Sequence, residues 1–487
     1  MDTTSFGLIN WIVLAIFLLG TTLIGHRLRG DNTQMEGFFL GSRNIPWWAV
    51  AVSLIATKTS ALTFLAVPGF IFAVGGDLTY LQITFGMILG NILMAVIFIK
   101  PYYEEKIYSP YDFIENRLGT GVSHLSRLLF FSGVILSQAV RLLATALVLS
   151  VITGFSLPEC ILIMGVFAVI WAIMGGITTV IWTDFVQWVI YMFGAIIVVL
   201  WLVDSIPDGL PGIIGIADEH AKMTFIDLSL DPTATYTLWV GFFGMAVFEL
   251  GQNAIDQVVT QRALCCKNSK EAQKAVYASA FGAITFYLMA LVGLGLVAFY
   301  NLNPPDGIVA DLLAREPDRV FPHFIIEQIP PGLSGLIIAS IFAAGITTLD
   351  SALTALSQTT VSGGYQRYIN KDASESHYLR VSKAFIILWA LVLCSLALIF
   401  HIYSTEGLLN LGLQVPGYVY GALLGIALLA LWRKGSVIGI GIGTVASIFG
   451  VIVLQMFDVA FFWWYPAACI ILISSALLFN KLHHKNS

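Results

Sequence analysis

Charge is scarce in this chain. Asp, Glu, Lys and Arg make up only 11% of its 487 residues, 58% are hydrophobic, and the mean hydropathy is +0.86. So little charge excludes a soluble globule and points to a polytopic membrane protein. Nucleic acid is not an expected partner. Cysteine is sparse and odd in number: Cys160, Cys265, Cys266, Cys394 and Cys469. Most lie in or beside apolar stretches, so no disulfide framework is implied. The adjacent Cys265 and Cys266 lack partners at ligand spacing, which argues against zinc. A nucleophile elbow, a metal-ligand run and a phosphate-binding loop are all missing, so an enzyme is not expected. Low-complexity linkers and a soluble domain are also missing. Only eight residues follow Phe479, which argues against a sensor with a cytoplasmic signalling domain at that end. The first apolar stretch, 6–24, lacks a basic leader and is followed by Arg27 and Arg29, so it reads as a retained span rather than a signal peptide.

What is abundant is long apolar sequence. Thirteen spans are expected: a lead span at 6–24, then spans 1 to 5 at 46–75, 78–99, 128–153, 158–175 and 178–203. Spans 6 to 10 follow at 236–259, 275–300, 332–362, 384–402 and 408–432, with two trailing spans at 437–456 and 459–479. With alternate loops assigned to the cytoplasm, nineteen Lys and Arg fall inside and three outside (Lys222, Arg315 and Arg319). Lys58 and Arg141 remain within spans. That bias predicts an outer amino terminus and a cytoplasmic carboxyl terminus. The outer loops 204–235 and 301–331 are acidic and proline-bearing, with a short helix expected at 308–314. Trp47-Trp48 and Trp463-Trp464 read as interfacial anchors.

Span 1 is interrupted where a membrane helix should be most apolar. Thr57, Lys58, Thr59 and Ser60 are four consecutive polar residues and cannot share one helix face. A charge at bilayer centre costs about 3 kcal/mol on insertion scales, so such residues usually face a cavity and carry function. The spacing predicts local unwinding that lines a site with backbone and hydroxyls. Span 6 mirrors it, running Phe248-Glu249-Leu250-Gly251-Gln252-Asn253-Ala254-Ile255-Asp256-Gln257. Interrupted first spans in two oppositely oriented five-span halves are the pattern of an inverted-repeat transporter. The expected segments are 1–45 (lead span and loop), 46–204 (first repeat), 205–235 (outer loop), 236–432 (inverted repeat) and 433–487 (trailing spans and tail).

Buried ionisable residues are Lys58, Arg141, Asp184, Glu249, Asp256 and Asp350. Each has a structural reading beside the functional one. Asp256 and Gln257 lie near the basic loop containing Arg262, Arg141 can pair with an acid, and Asp184 can tie two helices. On span 8, Thr347 and Ser351 are four apart and Thr348 is three from Ser351, so the hydroxyls share a face with Asp350 adjacent. Hydroxyls, carbonyls and a carboxylate are hard donors suited to a small hard cation. The alternative is that the hydroxyls bond back to their own helix. The eight histidines lie mostly in loops or near span ends.

The chain resembles the sodium/solute symporter family. The motifs that carry this are Gly175-Gly176-Ile177-Thr178-Thr179-Val180-Ile181-Trp182-Thr183-Asp184-Phe185-Val186-Gln187 and Asp256-Gln257-Val258-Val259-Thr260-Gln261-Arg262. The span 8 cluster and Pro416-Gly417-Tyr418 add support. The likeness covers nearly all thirteen spans and is greatest to bacterial sialic-acid and sugar members. It implies an all-α, LeuT-like five-plus-five inverted repeat with one leading and two trailing helices. It also implies sodium as coupling ion, no organic cofactor, a plasma-membrane location (the inner membrane in a bacterium) and function as a monomer.

The resemblance further implies a first sodium at the crossing of spans 1 and 8. Its ligands are the carbonyls of Ala56, Thr59 and Ala344 and the hydroxyls of Thr347 and Thr348. A second sodium, present in some members, is matched by Asp184, Asp350 and Ser351, with Asp350 standing where those members have a hydroxyl. Candidate solute contacts are Lys58, Ser60, Thr63, Gln82, Ser137, Arg141, Glu249 and Asn253. The first hydroxyl of the span 1 pattern is replaced by Lys58. The span 3 arginine position falls near Ser137, with Arg141 one turn on. Three roles stay open for Lys58: holding an anionic solute, pairing with Glu249 or Asp350, or replacing a cation in a proton-linked or sodium-independent transporter. The implied function is inward symport of a small polar solute such as a sugar, sugar acid or sialic-acid-like anion, by alternating access.

Overall fold

The computed structural model describes residues 6–28, 35–174, 176–403 and 408–485, and among these every regular element is a helix. The lead span is α1 (Leu8–Arg27). Span 1 is split into α2 (Trp47–Lys58) and α3 (Ala61–Phe72). Spans 2 to 5 are α4 (Ile83–Ile97), α5 (Thr120–Thr153), α6 (Leu157–Met174) and α7 (Ile177–Ser205). Span 6 is split into α8 (Met245–Ile255) and α9 (Gln257–Ala263), and span 7 into α10 (Ser269–Ser279) and α11 (Ala283–Leu302). Spans 8 and 9 are α12 (Leu333–Thr360) and α13 (Glu375–Tyr403), and span 10 is α14 (Leu408–Gln414) with α15 (Tyr420–Trp432). The trailing spans are α16 (Val437–Met456) and α17 (Trp464–Lys485). Among the described residues, nine helices are long and apolar enough to cross a bilayer, or eleven when two bent pairs each count as one span. Leu157–Ile173 is a shorter apolar helix.

Burial follows from which helices are central. The apolar window of α12 is 94% buried, against 28% for α1 and α13, whose outer faces carry exposed leucine and isoleucine. Exposed apolar faces of that length suit lipid tails, which supply the apolar surroundings that water does not. The central helices approach closely at small residues. A Cβ added to Gly345 of α12 would lie 2.2 Å from the Thr145 side chain of α5, so only glycine permits that contact.

The breaks occur where polar sequence interrupts the helix. α2 and α3 meet at 53°, with Thr59 and Ser60 extended between them. In span 6 the break falls at Asp256, later than Gly251, because the Asp256 carboxylate caps the next helix by accepting from Val258 N at 2.8 Å. The expected outer-loop helix is present as Gly307–Arg315, and two more, Leu210–Glu219 and Val320–Gln328, lie in the outer loops beyond the sequence expectation.

Two sequence expectations need correction. Trp464 is buried and donates from its indole to Val459 O at 2.9 Å, so it is a packing residue rather than an interfacial anchor. Arg262, assigned to a basic loop, lies on α9 and is 1% exposed.

Candidate functional site

The break in span 1 opens onto a partly enclosed cavity of about 60 Å³. Its polar wall includes Lys58, Ser60, Thr63, Ser137, Arg141, Glu249 and Gln252. Its apolar wall includes Tyr80, Met87, Phe248, Phe286 and Pro416. Unwinding at Thr59 and Ser60 frees the last carbonyls of α2, and Arg141 of α5 satisfies one by donating from Nη1 to Thr57 O at 3.0 Å. The cation at that helix C-terminus also suits the helix dipole.

Six of the eight sequence candidates thus line one cavity. Gln82 and Asn253 do not. Gln82 is fully buried; its amide donates to Thr79 O (3.1 Å) and Tyr236 O (2.9 Å), and its oxygen accepts from Asp227 N (3.1 Å). It braces the outer loop. Asn253 stands one layer back, donating to Asn91 Oδ1 at 3.0 Å and Glu249 Oε1 at 3.1 Å. Gln252, absent from the candidate set, faces the cavity instead. Its position inside the polar stretch of span 6 was the available signal.

Lys58 forms an ion pair with Glu249 and donates to Asn91 Oδ1 at 2.9 Å. Of the two pairing partners considered for it, Glu249 is the one engaged, and Asp350 is not. Span 1 is thereby tied to span 2 and span 6 through side chains that are almost wholly buried. Arg141 differs. Among the described residues its one hydrogen bond is to Thr57 O, and no carboxylate lies within ion-pair distance. The cavity wall therefore presents one ion pair and one guanidinium with no carboxylate in direct contact, Asp256 being the acid whose charge reaches it.

At the expected first sodium position, α12 packs against both α2 and α3. Ala56 O accepts from Thr59 N at 3.1 Å. The Thr348 hydroxyl donates to Ala344 O (3.2 Å) and Gly345 O (2.9 Å), so its own lone pairs remain. Such carbonyl and hydroxyl oxygens are the donor class a sodium ion takes. The Thr347 side chain lies outside the described residues.

At the expected second position the oxygens are already engaged. Asp184 accepts from Arg262 Nη2 at 3.1 Å and Nε at 3.4 Å, and also from the Ser53 hydroxyl. Ser351 accepts from Arg262 Nη2 at 2.6 Å and donates to Asp350 Oδ1 at 3.1 Å. In this structure the cation beside Asp184 and Ser351 is Arg262. Its nearness to Asp184 could not be read from positions 78 apart in sequence.

Comparison with known proteins identifies the family. The model of the sodium:solute symporter family matches residues 38–443. The chain is 26% identical over 459 residues to sodium-coupled monocarboxylate transporter 2 of Bos taurus, covering 92% of this chain and 73% of that protein. It is 27% identical over 467 residues to the sodium/sialic acid symporter SiaT of Proteus mirabilis, covering 93% and 90% of the two chains. The fold superposes on a solved sodium-coupled sialic acid symporter in a substrate-bound, outward-open state. The TM-score is 0.87 at 24% identity, with 98% of each chain covered. The chain belongs to the sodium:solute symporter family, and it is a multi-pass membrane transporter that couples entry of a small organic solute to sodium.

Proposed function

We propose that the solute is a small organic anion, bound through a carboxylate at Arg141 in the cavity beside the span 1 break. The observation that carries this is the charge balance of the cavity wall: Lys58 and Glu249 neutralise one another, and Arg141, which feels Asp256 only at a distance, has no carboxylate in direct contact. A planar guanidinium matches a carboxylate with two parallel hydrogen bonds, worth more than neutral ones. Ser60, Thr63, Ser137 and Gln252 supply hydroxyl and amide partners for the rest of a hydroxylated or acylated solute. Several relatives are named for anions: monocarboxylates, iodide and sialic acid.

Sodium is placed by this reading at the crossing of spans 1 and 8, on the carbonyls of Ala56, Thr59 and Ala344 with the hydroxyls of Thr347 and Thr348. Binding there ties α12 to the unwound segment and preorganises Ser60 and Thr63. The two halves, 46–204 and 236–432, then rock about the site, in a monomer of thirteen spans with its amino terminus outside and its carboxyl terminus in the cytoplasm. For a neutral solute, one charge moved through 100 mV supplies about 2.3 kcal/mol, or roughly fiftyfold accumulation. For a monoanion carried with one sodium the electrical contribution vanishes, and the sodium gradient alone drives uptake.

The test is a thermal-shift screen of purified protein against monocarboxylates, sugar acids, sialic acids, neutral sugars and amino acids, each with sodium and with potassium. Hits are followed by uptake into proteoliposomes under an imposed sodium gradient. Stabilisation by a carboxylate, dependent on sodium and lost in Arg141→Gln, is the expected result. Selective, sodium-dependent uptake of a neutral sugar would refute the anion assignment.

A further inference from the structure

Both hydrogen bonds that the Glu249 carboxylate accepts from the protein go to one oxygen. Lys58 Nζ and Asn253 Nδ2, the latter at 3.1 Å, both meet Oε1. Among the described residues, no donor lies within hydrogen-bond distance of Oε2. Yet Glu249 lines the solute cavity and is only 1% exposed. One buried carboxylate oxygen is therefore left to the cavity, into which Arg141 also faces. Lys58 and Asn253 are positioning residues here, because holding Oε1 fixes the direction of Oε2. Asn91 Oδ1 holds both of them in turn, accepting from Lys58 at 2.9 Å and from Asn253 at 3.0 Å.

An ionised carboxylate accepts hydrogen bonds and donates none. The solute atom that meets Oε2 must then be a donor. A ketone oxygen would face it lone pair to lone pair, and a methylene would leave a buried acceptor unsatisfied. An ammonium is disfavoured for a different reason. It would lie close to the ammonium of Lys58, which holds the other oxygen of the same carboxylate, and like charges repel strongly where screening is poor. A hydroxyl donates to a charged acceptor, the stronger class of hydrogen bond, and brings no charge of its own. The cavity is only about 60 Å³, so its walls reach the same few atoms of a compact solute. We infer that Glu249 selects for a hydroxyl: the solute is a hydroxycarboxylate, held by its carboxylate at Arg141 and by a hydroxyl proton at Glu249 Oε2.

This rests on the reading of the solute as an anion and deepens it. Arg141 alone would take any carboxylate, and Glu249 divides them. Hydroxy acids and sugar acids carry the donor that Oε2 requires. Keto acids and unsubstituted fatty acids do not.

The experiment titrates purified protein, in detergent with sodium, against matched sets of acids. The sets are lactate, pyruvate and propionate; 3-hydroxybutyrate, acetoacetate and butyrate; and gluconate with hexanoate. Alanine is the ammonium-bearing probe. In at least one set the hydroxy acid should bind wild type about tenfold or more tightly than its relatives, the difference that one charge-assisted hydrogen bond makes. That preference should shrink to within about threefold in the double variant Lys58→Met/Glu249→Leu, which removes the acceptor and leaves no orphaned charge. Equal affinities within every set, a preference that survives in the double variant, or alanine binding more tightly than lactate would each overturn the inference and leave carboxylate symport standing. Absence of binding by every carboxylate would instead refute the anion assignment, and this inference with it. Should the double variant not fold, Glu249→Gln decides. Its neutral amide oxygen should cut the preference at least about threefold, and an unchanged preference would overturn the inference.

Discussion

The Lys58–Glu249 pair makes a prediction that needs no knowledge of the solute. Glu249 is 1% exposed and Lys58 9%, so neither charge is solvated well enough to stand alone. Removing one member of a buried pair costs about 3–5 kcal/mol, because the other charge is left uncompensated. The surrounding amides moderate this. Asn91 Oδ1 accepts from Lys58 at 2.9 Å, and Asn253 donates to Glu249 at 3.1 Å, so each charge keeps one hydrogen bond when its partner is lost. The lower end of the range, about 3 kcal/mol, is therefore expected for Glu249→Gln or Lys58→Met alone. The double variant leaves no orphaned charge and should be destabilised by much less than the sum of the two. The assay is thermal unfolding of the four proteins in detergent, read as a double-mutant cycle. A coupling of roughly 2 kcal/mol or more is expected. Additive effects, within about 0.5 kcal/mol, would refute the claim that the pair is electrostatically essential to span 1. A second readout follows from the charge count. Glu249→Gln leaves Lys58 and Arg141 as two cations on the cavity wall, so a carboxylate solute should restore more stability to this variant than to wild type.

Arg141→Gln should weaken an anionic solute by about 1.5–3 kcal/mol, roughly ten- to a hundredfold in affinity, while leaving sodium binding in place; unchanged affinity in a titration would refute its role. Thr348→Ala removes one hydroxyl from the expected sodium position and should raise the sodium concentration for half-maximal uptake about tenfold, with little change in maximal rate. Gln82→Ala should lower thermal stability by about 1 kcal/mol through its lost hydrogen bonds and leave solute affinity alone, since its amide is spent on Thr79 and Tyr236. Glu115, on the loop helix Pro110–Leu118, has its pKa held below the ordinary value by its hydrogen bond to Arg367 and the charges of Arg367 and Arg127. A carboxylate depressed in the folded state stabilises above its unfolded pKa, about 4.3, and that stability is lost as pH falls through the folded value. Melting temperature from pH 6 to below pH 4 should accordingly fall less in Glu115→Gln than in wild type.

Much of this protein was legible one residue at a time. Scarce charge and long apolar runs make the membrane the solvent, and a membrane interior admits helices because every backbone group must be satisfied locally. Thr57 to Ser60 could not share a helix face, so the break in span 1 and the cavity it opens were written in four adjacent residues. Ser60, Thr63, Ser137, Arg141, Lys58 and Glu249 reach the cavity because polar groups within apolar helices turn from lipid to the one place that solvates them.

What spacing could not supply was pairing. Whether Lys58 met a solute, Glu249 or Asp350 depended on which helix packs opposite it, and the packing selected Glu249. Gln82 and Asn253 carry suitable groups, but the fold commits the first to the outer loop and the second to the layer behind Glu249. Arg262 is the sharpest case. As sequence it closes a motif at the edge of a basic loop. Only the convergence of α2, α7, α9 and α12 puts it among Asp184, Ser53 and Ser351, because a buried carboxylate and a nearby guanidinium satisfy each other wherever the chain lets them meet.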